Sequence, residues 1–163
     1  MAKQSSLQLR IMPWDCVWRL SGNDRYHAFM DLGRIDLAIR MGWDKTILKN
    51  NWRPFVVAVH IRHSHPLKCF EPFVLHTRLL FCDKYAVWME HIFESKGRKV
   101  ATAISKNVAI SGKVIVPVGK IPQLVNECPV DKESLDNIDI LTKAEWVLRQ
   151  VSVSHGRRQS PVK

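Results

Sequence analysis

Apolar positions change their period along this chain. Residues 9–42 open with an apolar run, LRIMPWDCVW, pass a short polar stretch, and enter a segment where Ala28, Phe29, Leu32, Ile35, Ile39 and Met41 recur at helical spacing. Leu37 and Ala38 widen that stripe until most of the circumference is apolar. The pattern predicts a strand, a loop and one long helix buried rather than laid on a surface. Asn23 or Asp24 stands where a side-chain oxygen can cap the free N–H groups of the first turn. Beyond the helix the period falls to two. WDKTILKNNWRP reads as a connecting loop, and residues 55–62 (FVVAVHIR), dense in β-branched side chains, read as a central strand. Residues 73–81 and 85–94 predict a hairpin turned at Asp83 and Lys84, and SKGR turns the chain again into a long strand over residues 99–110.

The order is strand, long helix, four antiparallel strands, then a change of character past Val116. Pro122 and Pro129 punctuate a short amphipathic piece, and Leu135, Ile138, Leu141, Trp146 and Leu148 among charges predict a peripheral helix over residues 131–151. The expected organisation is an α+β core over residues 1–117, a C-terminal helical extension over 118–152 and a disordered basic tail over 153–163.

Composition narrows the picture. A chain of 163 residues fits one domain, and none of its stretches reaches the ~18 consecutive apolar residues of a membrane span. The start, MAKQSSLQLR, lacks the apolar core of a signal peptide, which points to the cytoplasm. Cys16, Cys69, Cys82 and Cys128 form no C-x-x-C pair, so a zinc site is not expected and free thiols are. The formal net charge of +10 favours polyanionic partners: nucleic acid, acidic membrane surfaces or phosphate-rich cofactors. Only charge speaks for nucleic acid, which is not the expected partner.

Candidate chemistry lies mostly on the helix. His27, Asp31 and Arg34 are spaced by four and three, so they share a face and can bond one another, as a polar seam at a subunit interface or as one facing a ligand. Gly33 beside them costs roughly 1 kcal/mol relative to Ala and marks a place where another backbone comes close. His60, His63 and His65 crowd one strand end, but alternation sends His60 to the opposite face, and no metal site is expected. Trp18, Trp43, Trp52, Trp88 and Trp146 suit a core or interface, with one or two free to line a pocket. Lys96, Arg98 and Lys99 sit together in a turn and can meet phosphates.

Trp14-Asp15-Cys16, then Asn23, Arg25-Tyr26 and Met30-Asp31-Leu32-Gly33-Arg34, resemble the pattern of hotdog-fold thioesterases of the 4-hydroxybenzoyl-CoA thioesterase branch. That pattern runs from a strand ending in Asp-x-Asp, through a His-Met-Asn-Asn loop, to Arg-Tyr and a helix with a central Arg. The segment from Arg62-His63 to Phe70-Glu71-Pro72-Phe73, with Thr77-Arg78-Leu79-Leu80 after it, is similar to proteins related to animal thioesterase superfamily member six. The resemblance covers roughly residues 8–115.

It implies a hotdog fold, an antiparallel sheet around a long central helix, and an acyl-CoA or acyl-carrier-protein thioesterase working as a homodimer or a dimer of dimers. Coenzyme A would enter only as part of the substrate, with Lys96, Arg98 and Lys99 as candidates for its phosphates. The helix N-terminus would polarise the thioester carbonyl. The second aspartate of Asp-x-Asp does the catalytic work in the family, and Val17 stands at that position. The His-Met-Asn-Asn loop is one residue shorter here, with Asn23 its clear counterpart.

Three replacements for the acid follow. Asp15 turns inward, Asp24 takes over at the helix start, or Asn23 and Arg34 hold the carbonyl while an ordered water attacks, as in hotdog thioesterases of enediyne polyketide pathways. Tyr26, His27 and Asp31 are the matching substrate-binding candidates. The competing expectation is a non-catalytic hotdog protein that binds acyl thioesters, which the Val17 replacement supports.

Overall fold

The computed structural model describes residues 4–128, so the predicted helix over 131–151 and the tail over 153–163 lie outside the described residues. Strand β1 (Gln4–Arg10) leads through a 3₁₀ turn at Pro13–Asp15 into a small hairpin of β2 (Cys16–Val17) and β3 (Leu20–Ser21). Helix α1 (Asn23–Met41) and the short α2 (Trp43–Lys49) follow, then β4 (Arg53–His63), β5 (Pro72–Cys82), β6 (Ala86–Ser95) and β7 (Arg98–Ser111). Strand β8 (Val114–Val116), a 3₁₀ turn at Val118–Lys120 and α3 (Pro122–Glu127) close the described chain. Apart from the β2–β3 hairpin, which is a two-stranded sheet of its own, the strands form one antiparallel sheet in the order β1-β5-β6-β7-β4, with β8 on β7. The predicted meander is present as β5-β6-β7, and its first turn is held by Asp83, whose Oδ1 accepts from the N–H groups of Tyr85 (2.8 Å) and Ala86 (2.7 Å). A curled antiparallel sheet with one long helix is the hotdog architecture that the motifs implied.

Two apolar clusters join α1 to the sheet. Tyr26 and Met30, in the helix's first half, pack with Phe73, Leu75 and Phe93. Leu37 and Met41, in its second half, pack with Trp43, Leu79, Met89 and Leu124. Gly33 falls between them, and a Cβ there would collide with Thr77 Oγ1 and sit 3.1 Å from Leu75 Cδ2. A side chain of β5, rather than a backbone, makes the close approach.

Several expectations are corrected. The helix buries one face only: Leu32, Ile35 and Ile39 are exposed, because the sheet reaches just the side that carries Tyr26, Met30, Gly33 and Leu37. Its N-cap is Gly22, with no side-chain cap bond, and Asn23 and Asp24 are already inside the first turn. Much of the expected loop after Gly42 is α2, which starts at a left-handed Gly42 with φ 74° that lets the chain turn without a Cβ clash. Among the described residues β4 is an edge strand, paired with β7 alone, so its β-branched run is half exposed rather than central. The first strand lies earlier than predicted, and the run through Trp14 and Trp18 forms the turn and hairpin instead.

The cysteines are not free. Cys16 bonds Cys69 and Cys82 bonds Cys128, with Cα–Cα separations of 6.1 and 5.9 Å. Each pair is more than forty residues apart in sequence, 53 and 46, so only the fold brings the sulfurs together.

Candidate active site

The start of α1 is fixed by its neighbours. Gly22 N–H donates to the Asp15 carbonyl (3.0 Å) and Ser21 N–H to the Leu67 carbonyl (2.8 Å), which leaves the first helical turn facing a cleft. Across it, β4 ends at His63, and the N–H groups of Ser64 and His65 both reach the Val100 carbonyl at 2.8 and 3.1 Å. The resulting cavity, about 320 Å³, is lined by Ser21, Asn23, Tyr26, His63, Ser64 and His65, with Leu20 and Pro66 at its sides. The Tyr26 ring lies under the floor, edge-on to His63 with centroids 4.6 Å apart, and burial pushes its phenol up.

A second, larger cavity of about 610 Å³ lies further along α1, between its exposed face, α2 and strands β4, β6 and β7. Its walls are apolar, among them Ile35, Ile39, Trp52, Phe55 and Met89, and Asp31, Arg34 and Asn107 are among its few polar lining residues. Arg34 donates through Nη2 to Asp31, while its Nη1 is buried with no partner among the described residues. Behind this wall runs a buried chain of side chains: Thr77 to His91 (3.1 Å), His91 to Ser105 (2.9 Å), and Asn107 to Ser105 (3.0 Å).

The fold sorts the sequence candidates into three groups. Asn23 and Tyr26 meet in the small cavity, joined by His63 and His65, which the sequence reading weighed only as metal ligands. Asp31 and Arg34 line the large cavity, and His27 is exposed and lines neither, so the expected seam of three is an ion pair of two. Asp15 is buried, but its carboxylate accepts from Met12 N–H (2.9 Å) and faces Arg25 at 3.8 Å. Asp24 is exposed and paired with Arg25 at 3.4 Å. Val17 is exposed on β2. Lys96, Arg98 and Lys99 occupy the β6–β7 tip, where Lys96 pairs with Glu71 at 3.7 Å; Val100, next along β7, is the strand residue that holds Ser64 and His65. Strand alternation had placed His63 and His65 on one face; the signal missing from the sequence was that this face looks onto Asn23.

The profile of the Thioesterase-like superfamily matches residues 15–120, from the turn before α1 to the turn after β8, and the chain belongs to that superfamily. The fold is that of solved structures of low sequence identity. 4-Hydroxybenzoyl-CoA thioesterase of Pseudomonas sp. strain CBS-3 is similar with a TM-score of 0.65 at 17% identity, over 75% of this chain and 99% of that one. A gentisyl-coenzyme A thioesterase gives 0.64 at 15% over 74% and 99%, and a hypothetical protein of Aquifex aeolicus gives 0.67 at 14% over 74% and 98%. No curated protein matches the chain significantly.

Proposed function

We propose that this protein hydrolyses acyl thioesters of coenzyme A or an acyl carrier protein, with the reacting carbonyl in the small cavity between Asn23 and His63. The meeting of a polar helix start with an imidazole, in a member of a thioesterase superfamily, carries this reading. The free N–H groups of the first turn and the Asn23 amide would receive the carbonyl oxygen as it becomes negative. His63 would take a proton from an attacking water as its oxygen bonds the carbonyl carbon, then return it to the departing thiolate. This assigns the base to an imidazole because Val17 has no proton to exchange and Asp15 already serves the Met12 N–H and Arg25. The apolar walls of the large cavity, which shares no lining residue with the small one, suit an acyl group, and Lys96, Arg98 and Lys99 suit the phosphates of the carrier.

The same reading includes a homodimer or a dimer of dimers. The edge of β4 that has no partner among the described residues, and the exposed Leu32, Ile35 and Ile39, are features that a second copy would cover. A non-catalytic acyl-thioester-binding protein is the second reading, favoured by one observation: among the described residues, no carboxylate lines the small cavity.

Free-thiol release from short, long and aromatic acyl-CoAs tests the proposal. Turnover is expected, falling by about 10²–10³ in Asn23→Ala and by a similar factor in His63→Ala. Loss in Asp24→Ala or Asp15→Ala instead of His63→Ala would move the base to that carboxylate. Binding without turnover on every substrate would establish the second reading.

A further inference from the structure

The hairpin of β2 and β3 ends in Trp18 and Arg19, and Trp18 is 94% exposed. In the turn before it, in the hairpin itself and in the segment bonded to it, Trp14 is 70% exposed, Val17 59% and Phe70 58%. Arg10, Arg19 and Lys68 stand exposed among them. The carboxylates of the region are engaged: Asp15 is buried against Met12 N–H, Asp24 pairs with Arg25, and Glu71 takes the Lys68 N–H, the Ser95 hydroxyl and Lys96.

The backbone makes this arrangement more telling. Trp18 and Arg19 have φ of 51° and 68°, the left-handed pair of a two-residue hairpin turn, where Asn-Gly is the unstrained choice. Phe70, beside them, is left-handed as well at 65°. Three bulky side chains thus occupy positions that favour glycine or asparagine, and such strain collects where a side chain is needed for function. The neighbouring chain holds the tip in place. Cys16 is bonded to Cys69, Cys69 N–H donates to the Arg19 carbonyl (3.0 Å), Phe70 N–H to the Ile11 carbonyl (2.8 Å), and Arg10 Nη1 to the Phe70 carbonyl (2.7 Å).

We propose that this hairpin tip docks the protein onto an anionic lipid surface, with Trp18, Trp14 and Phe70 entering the headgroup layer and Arg10, Arg19 and Lys68 facing lipid phosphates. Tryptophan has the amphipathic ring that settles at a membrane–water boundary, and interleaved Lys and Arg add attraction to an anionic leaflet. A hairpin tip with one side chain almost wholly free suits a deformable lipid surface, whereas the buried anchors of protein interfaces fill shaped pockets. No helix of the described residues is long and apolar enough to cross a bilayer. Leu20 of the same hairpin lines the small cavity, so docking would bring that cavity close to the lipid.

Sedimentation of the full chain with sucrose-loaded vesicles tests this without any thioester, so its outcome is separate from that of the hydrolysis assay. Vesicles of phosphatidylcholine with phosphatidylserine are expected to bind at least about tenfold more protein than phosphatidylcholine alone, and added salt to reverse the difference. Trp18→Asn with Arg19→Gly installs the favoured turn pair, so this variant should keep or raise Tm while its vesicle partition falls about tenfold or more. Lys68→Glu should reduce the phosphatidylserine dependence on its own. No binding at low salt, or binding that the Asn-Gly variant retains, overturns the proposal. So does a wild-type oligomer that the Asn-Gly substitution dissociates, which would give the tip to a second copy.

Discussion

The Nε2 of His91 lies 2.9 Å from the Ser105 hydroxyl, inside a fully buried part of the sheet. Its Nδ1 is 3.1 Å from Thr77 Oγ1, so both ring nitrogens are held by neutral hydroxyls. Burial, and then the charge of Arg34, push the imidazole pKa down to about 3. The folded protein therefore keeps this histidine neutral where the unfolded chain, near 6.5, protonates it. The stability it contributes is complete above pH 6.5 and is lost as pH falls toward 3, by about 1.4 kcal/mol per unit. Urea unfolding at pH 7, 6 and 5 should show this loss. The slope should flatten in His91→Gln, which keeps a hydrogen-bonding amide without a titrating group. That window lies above the titration of Asp36, which a hydrogen bond from Arg40 holds below the usual carboxylate range, so the acid contribution stays out of the comparison.

Gly33 gives a second test, in which helix propensity and packing oppose each other. Alanine gains about 1 kcal/mol over glycine in an open helix. Here the new methyl would meet Thr77 Oγ1 and Leu75 Cδ2 on β5, and overpacking a tight contact costs about 1–3 kcal/mol. Gly33→Ala is expected to be destabilised by up to about 2 kcal/mol in chemical denaturation. Combined with Thr77→Ala, the loss should be smaller than the sum of the two single variants, because the second change removes the atoms the first collides with. Equal additivity would mean that α1 shifts away from β5 instead.

What the sequence disclosed follows the reach of each signal. The long helix and the β5-β6-β7 meander were legible because period and turn residues are local, as at Asp83. Helix α2 was hidden by its seven residues, too few for a period to stand out between Gly42 and Asn50. Strand β4 misled because Val56, Val57 and Val59 express fitness for a pleated surface, and that composition does not say whether a neighbour lies on one side or two. Of the small cavity's lining, Asn23 was readable from its place at the helix start. The place of His63 in the small cavity was not, since it depends on where β4 leaves β7 beside Val100. The cysteine pairings were out of reach for the same reason.

Those pairings give the last test. The Cys16–Cys69 bond ties the hairpin before α1 to the segment before β5, across 53 residues of sequence. In the chain-entropy description a closed loop of that size stabilises a fold by about 4 kcal/mol, through the freedom it removes from the unfolded chain. The Cys82–Cys128 bond closes 46 residues and should act with similar strength, tying the end of β5 to the end of α3. Cys16→Ser with Cys69→Ser is therefore expected to lower Tm by about 8–16 °C under oxidising conditions, with no difference from the wild type once both are reduced. Thiol titration of the denatured, unreduced protein should find none of the four cysteines free. Four free thiols in material purified without reductant would show that these neighbouring sulfurs remain apart in the cell, as the expectation of a cytoplasmic protein requires.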